Sequence, residues 1–199
     1  MLPLRRLLIT SIIIAGLYIT LDAIVVFGLN PIQSMFLPDI TTYSSLIFLP
    51  FSLRIFSTSL VGADAIPGLF LGMVFSSYFF WGVADISLLL VISLFGSVNT
   101  WVVFRTLSHL GINAFYTTAE KNMPQLNTYL IVGLVTAMVD GFLMTALLET
   151  EARIQNVTIH YASFTIGGLA GLVVGWLLAR LLLPVLNRFS AIWTNDRQK

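Results

Sequence analysis

Three ionisable side chains, Asp22, Arg54 and Asp140, each lie inside a long apolar stretch. A charge near the centre of a bilayer costs on the order of 2.5–3.5 kcal/mol, so each should turn inward and find a partner. Asp22 shares a helical face with Ser11, Ala15 and Tyr18, and Asp140 shares one with Gly133, Thr136 and Ala137. Arg54 follows Pro50 by four residues, with Ser57 and Thr58 one turn further on. Proline removes a backbone donor and leaves a carbonyl free to accept a bond. At about 1.5 Å of rise per residue, Asp22 falls roughly 6 Å and Asp140 roughly 3 Å to the outer side of their segments' midpoints. Arg54 falls roughly 3 Å to the inner side, within arginine's reach of either carboxylate. Asn99 is a further neutral partner. Two carboxylates against one guanidinium leave a surplus acid, which must take a proton, a cation or a cationic ligand. Two other readings stay open: an ion pair that only pins helices together, or an Arg54 that receives an anionic group from a cavity. Asp22, Arg54, Asp140 and Asn99 are thus the expected ligand-binding or charge-pair centre.

Other chemistries find no support in the residue pattern. Paired intramembrane aspartates act as acid and base in aspartyl intramembrane proteases. Here the contexts read Leu21-Asp22-Ala23 and Val139-Asp140-Gly141, without a Gly-x-Gly-Asp sequence. A rhomboid-like dyad needs a Gly-x-Ser turn, and the chain contains none. The absence of cysteine removes disulfides, thiolate nucleophiles and thiolate-bound metals. His109 and His160 are 51 positions apart and expected on opposite sides, so they form no metal or haem pair. Both are expected to be interfacial, His160 at a wet outer boundary. The expectation is therefore a non-enzyme with no catalytic residue, no metal and no cofactor.

The elements that must position these residues follow from composition. Of the 199 residues, 57% are hydrophobic and 10% charged, and the mean hydropathy is +0.93. A soluble domain carries roughly 25% charged residues, so the solvent is expected to be a lipid bilayer. The net charge of +1, with no basic stripe, excludes a nucleic-acid partner. Six apolar segments meet or approach the roughly 17–25 residues a crossing helix needs: 7–29, 44–60, 65–81, 86–104, 127–149 and 158–184. The break at Gly62-Ala63-Asp64 is thin, so the second and third segments form either a tight hairpin or a partly re-entrant pair. With six spans, Arg5, Arg6, Arg105, Lys121, Arg180, Arg188, Arg197 and Lys199 all fall on one side, and Arg153 alone on the other. Positive residues mark the cytoplasmic side. The predicted fold is all-α: one six-helix transmembrane bundle over residues 1–187, with both termini cytoplasmic, in a bacterial inner membrane. Residues 188–199 form a short cytoplasmic tail, too short for a soluble output domain. The first segment is too long for a signal peptide and carries Asp22. The sequon Asn156-Val157-Thr158 is read as a chance occurrence.

Small residues at four-residue spacing mark helix packing in lipid. They are Gly68, Gly72 and Ser76; Gly133, Ala137, Gly141 and Thr145; and Gly167, Gly171 and Gly175, with Gly168 alongside. Phe79, Phe80 and Trp81 read as part of an aromatic belt, and Trp101 and Trp176 as belt or packing residues. The connection 105–126 carries a helix stop at Gly111 and a Thr117-x-x-Glu120 capping box, with Phe115 and Tyr116 expected in the headgroup layer.

Over residues 48–105, the run Leu49-Pro50-Phe51-Ser52-Leu53-Arg54, then Gly62, Ile66-Pro67-Gly68-Leu69-Phe70-Leu71-Gly72 and Gly96-Ser97-Val98-Asn99, resembles the first class of bacterial membrane-associated sensor domains. That resemblance implies a membrane module of the kind that precedes histidine kinases or cyclic-di-nucleotide enzymes. This chain departs from it in its shorter length and in carrying Arg54 within the pattern. Its size, six spans and cytoplasmic ends are also similar to the substrate-binding components of energy-coupling-factor transporters. The leading expectation is a non-enzymatic module that binds a small ligand or a partner membrane complex through its polar centre. A small-solute transport component and an accessory scaffold subunit of a larger assembly are the alternatives. The lipid bilayer and other membrane subunits are the expected partners.

Overall fold

The computed structural model describes residues 2–36, 45–116, 126–152 and 157–195, with side chains over 4–36, 45–116, 126–147 and 157–181. Thr117, Glu120, Lys121, Arg153, Asn156, Arg197 and Lys199 lie outside the described residues, as do the side chains of Arg188 and Trp193. Every element among the described residues is helical: α1 (Leu2–Ile24), α2 (Asn30–Phe36), α3 (Leu49–Val61), α4 (Ile66–Phe79), α5 (Ile86–His109), α6 (Leu126–Ala152) and α7 (Val157–Asn195). A π-helical turn, Val25–Leu29, joins α1 to α2, and a 3₁₀ turn, Gly62–Ala65, joins α3 to α4. Among the described residues, five helical runs are long and apolar enough to cross a membrane: Leu4–Phe36, Leu49–Phe79, Ile86–His109, Leu126–Leu147 and Val157–Leu181. The chain is a multi-pass membrane protein.

Local sequence explains the breaks. Pro50 and Pro67 sit in the first turns of α3 and α4, where a missing N–H costs nothing. Gly62, at φ 61°, takes a conformation that ordinary residues rarely adopt, and it divides the second run into two helices. The Asp85 carboxylate accepts the Leu88 N–H at 2.9 Å and caps α5. Gly111, at φ 88°, follows the end of α5.

Burial is inverted relative to a soluble protein. Leu8, Ile12, Phe27, Phe79, Leu94 and Phe142 are exposed, whereas Ser11, Asp22, Arg54, Asn99, Thr100, Thr136 and Asp140 are buried. Lipid accepts the first set, and only a protein interior accepts the second.

Contact registers give the helix directions. Gly68 meets Ser11 and Ile14, and Gly72 meets Tyr18, so α4 runs parallel to α1. Gly133 meets Leu172 and Gly141 meets Tyr161, so α6 and α7 are antiparallel. Gly171 meets Phe48 and Gly175 meets Ser52, so α3 runs parallel to α7.

The second predicted segment needs correction at its start. Residues 45–48 are not helical, and α3 begins at Leu49. Its 13 residues span about 20 Å, short of the roughly 30 Å hydrocarbon core. Ser45–Phe48 lie against Gly167 and Gly171, about 15–21 Å along α7 from its start. Non-helical backbone at such depth must be satisfied by protein. Phe48 N–H donates to the Gly167 carbonyl at 2.9 Å, and Leu46 N–H donates to Gln33 Oε1 at 2.7 Å. A Cβ at Gly167 or Gly171 would collide with the Ser45 or Phe48 carbonyl. That stripe of small residues on α7 therefore packs on the non-helical backbone before α3 and, at Gly175, on Ser52.

Candidate ligand-binding site

The three intramembrane charges divide into a pair and a single carboxylate. Arg54, one and a half turns into α3, places Nη1 2.7 Å from Asp140 Oδ2 on α6. Its Nη2 donates to Thr100 Oγ1 on α5 at 3.0 Å. Asn99, beside Thr100, donates from Nδ2 to Asp140 Oδ1 at 2.7 Å. Four side chains from three helices thus close one network. The Arg54 guanidinium also stands 5.6 Å from the centre of the Phe51 ring. Excess positive charge on Arg54 is met by one carboxylate, one hydroxyl and one ring.

Asp22 stands apart on α1, with 1% of its surface exposed. Its Oδ2 accepts the Trp81 indole N–H at 2.8 Å. Its Oδ1 is buried, and the buried Ser76 hydroxyl on the facing helix α4 stands beside the carboxylate. No cationic side chain pairs with Asp22 among the described residues. The π-helical turn that follows Asp22 and Ile24 leaves the Asn30 Oδ1 buried and unpartnered as well.

A cavity of about 90 Å³ joins the two halves, with Asp22, Arg54 and Asp140 all on its wall. One water needs roughly 10–15 Å³, so the space admits several waters or a small organic group. Phe48, Phe51, Trp81 and Phe164 contribute aromatic walls. Ser45 and Phe48 from the non-helical segment before α3 complete one side.

One side chain lies elsewhere than expected. His160 is fully buried rather than wet, with Nδ1 3.2 Å from Thr145 Oγ1 and its ring 4.9 Å from that of Phe164. The tight α6–α7 contact at Gly141 carries the imidazole inside the hairpin. His109 is exposed at the end of α5. Phe115 and Tyr116 fold back under α3: Phe115 packs on Phe104, and Tyr116 N–H donates to the Ser59 carbonyl at 2.9 Å. Ser59 Oγ in turn reaches the Ala114 carbonyl at 2.6 Å and Tyr129 Oη at 3.0 Å. Trp81, read as a belt residue, is the partner of Asp22, and Thr100 joins Asn99 in the charge network. An indole next to a glycine at the end of an apolar run carries no signal that distinguishes those roles.

No protein-family description, curated protein or solved structure matches this chain.

Proposed function

We propose that this protein is a non-enzymatic module of a bacterial inner membrane that binds a small molecule inside the bundle. It has six membrane segments with both ends in the cytoplasm, and α3 and α4 form a hairpin whose first arm is only partly spanning. The alternating contact registers support that topology, as does the one-sided placement of Lys and Arg.

One observation carries the ligand reading: Asp22 is a buried carboxylate with no cationic partner among the described residues, on the wall of a cavity that also touches a mutually neutralised ion pair. A group of that kind costs several kcal/mol unless something compensates it. Asp140 is held by Arg54 and Asn99, so it is not free to act with Asp22 as an acid–base couple. That arrangement favours binding over catalysis.

A second reading, a small-solute transport component, draws on the interrupted second run. Discontinuous helices near the membrane midplane commonly build the substrate sites of transporters. Ser45 and Phe48, at the start of α3, border the cavity directly.

Native mass spectrometry of protein extracted in mild detergent tests the ligand reading. The expected spectrum contains a stoichiometric small adduct that Asp22→Asn loses. A spectrum of bare polypeptide and lipid adducts alone contradicts it.

A further inference from the structure

We infer that the cavity takes a small organic cation, an alkylammonium or quaternary ammonium group, held by Asp22 and walled by aromatic rings. The inference rests on the ligand-binding reading above and narrows it to one class of chemistry.

Charge gives the sign. Three ionisable side chains with formal charge line the cavity, and Arg54 and Asp140 neutralise each other at 2.7 Å. Asp22 is left, with neutral neighbours alone, the Trp81 indole and the Ser76 hydroxyl, and no cationic partner among the described residues. An anionic ligand would meet an uncompensated carboxylate, and a neutral one would leave it to be neutralised by a proton. A monovalent cation restores neutrality.

The donor set separates an ammonium from a bare metal ion. Hard cations take about six oxygens once dehydrated. Here a single carboxylate without a cationic partner is supplemented by the hydroxyls of Ser45, Ser76, Ser77 and Tyr18. No group of three or more metal-ligating side chains occurs among the described residues. Phe48 and Trp81 both line the cavity and pack edge to face, with ring centres 6.4 Å apart and planes 68° inclined, and Trp81 touches the carboxylate. Ring faces next to an acid are the usual surroundings of an organic ammonium. Arg54 Nε, buried and unpartnered, asks for a neutral acceptor such as a ligand hydroxyl or a water.

Size sets the limit. About 90 Å³ admits a headgroup of a few non-hydrogen atoms, on the scale of methylammonium through tetramethylammonium or choline. Trp81 has two parts in this: its N–H fixes the Asp22 carboxylate, and its ring is part of the wall.

The test is thermal melting of the full chain in detergent with methylammonium, tetramethylammonium and choline chlorides. Controls at matched ionic strength are sodium chloride, potassium chloride, sodium acetate, sodium butyrate and tert-butanol. Saturation at about a hundredfold excess over Kd should raise Tm by roughly 5–10 °C. Asp22→Asn retains an oxygen for the Trp81 N–H, so it should fold and lose roughly tenfold or more in ammonium affinity. Phe48→Leu, which removes one ring face, is the second variant and should also weaken the response. An ammonium response that survives in Asp22→Asn overturns the assignment. Equal stabilisation by sodium or potassium chloride also overturns it, in favour of a metal ion. A response to carboxylates or tert-butanol alone overturns the cation and leaves a ligand cavity. Silence from every probe overturns the ligand reading itself.

Discussion

Arg54 Nη1 lies 2.7 Å from Asp140 Oδ2, with side chains only 4% and 8% exposed. A buried pair of this kind is hard to break because removing one partner strands the other charge. Asp140→Ala or Arg54→Ala should destabilise the bundle by about 3–5 kcal/mol. The double replacement Arg54→Leu with Asp140→Leu should cost less than either single change. Melting of the three variants against wild type reads this directly, and additive losses would show the two residues to be uncoupled.

Trp81 donates its indole N–H to Asp22, so Trp81→Phe removes a hydrogen bond to a buried acid. The expected loss is about 1–3 kcal/mol, measured as a lower Tm. Asp22→Asn keeps an acceptor for the indole and should melt close to wild type, whereas Asp22→Ala should not. The order of the three Tm values separates the lost bond from a general intolerance of change at this point.

On α7 the glycines differ in what an added methyl group would meet. At Gly171 it meets the backbone carbonyl of Phe48, which has no rotamer to escape into. Gly171→Ala should therefore cost about 1–3 kcal/mol. Gly168→Ala meets side chains at ordinary contact, the nearest 3.4 Å away, and should be tolerated. Gly16→Ala, with nothing within 4 Å, serves as the neutral control. Thermal aggregation midpoints in detergent rank the three.

The proposed topology makes its own prediction. The natural chain has no cysteine, so each introduced one is labelled uniquely. Pro3→Cys and Lys199→Cys should react with an impermeant maleimide only after the cytoplasmic side is opened. Gln155→Cys should react in intact cells. Labelling of Pro3→Cys and Lys199→Cys from opposite sides would replace six segments with an odd number.

Much of this was legible in the residue order because lipid penalises errors so heavily. Asp22, Arg54 and Asp140 are costly in any apolar helix, so their inward orientation followed from solvation alone. The choice between two carboxylates did not, since it depends on where α3, α5 and α6 meet. The true start of α3 was marked by Pro50, a first-turn residue. Hydropathy obscured it, because Leu46-Ile47-Phe48 is as apolar as the helix that follows. The glycines of α7 mark a close approach, yet the partner of Gly167 and Gly171 is the non-helical backbone at Ser45 and Phe48, which no helical spacing encodes. His160 was misplaced for a similar reason: nearness to a helix end says little once two helices close tightly over it.

An experimental density map of the protein in lipid nanodiscs, prepared in mild detergent, addresses the cavity itself. The account predicts a compact non-protein feature beside Asp22 Oδ1, between Trp81 and the Arg54–Asp140 pair. A centre filled by side chains, with Asp22 paired to a cationic side chain of its own chain, would contradict it.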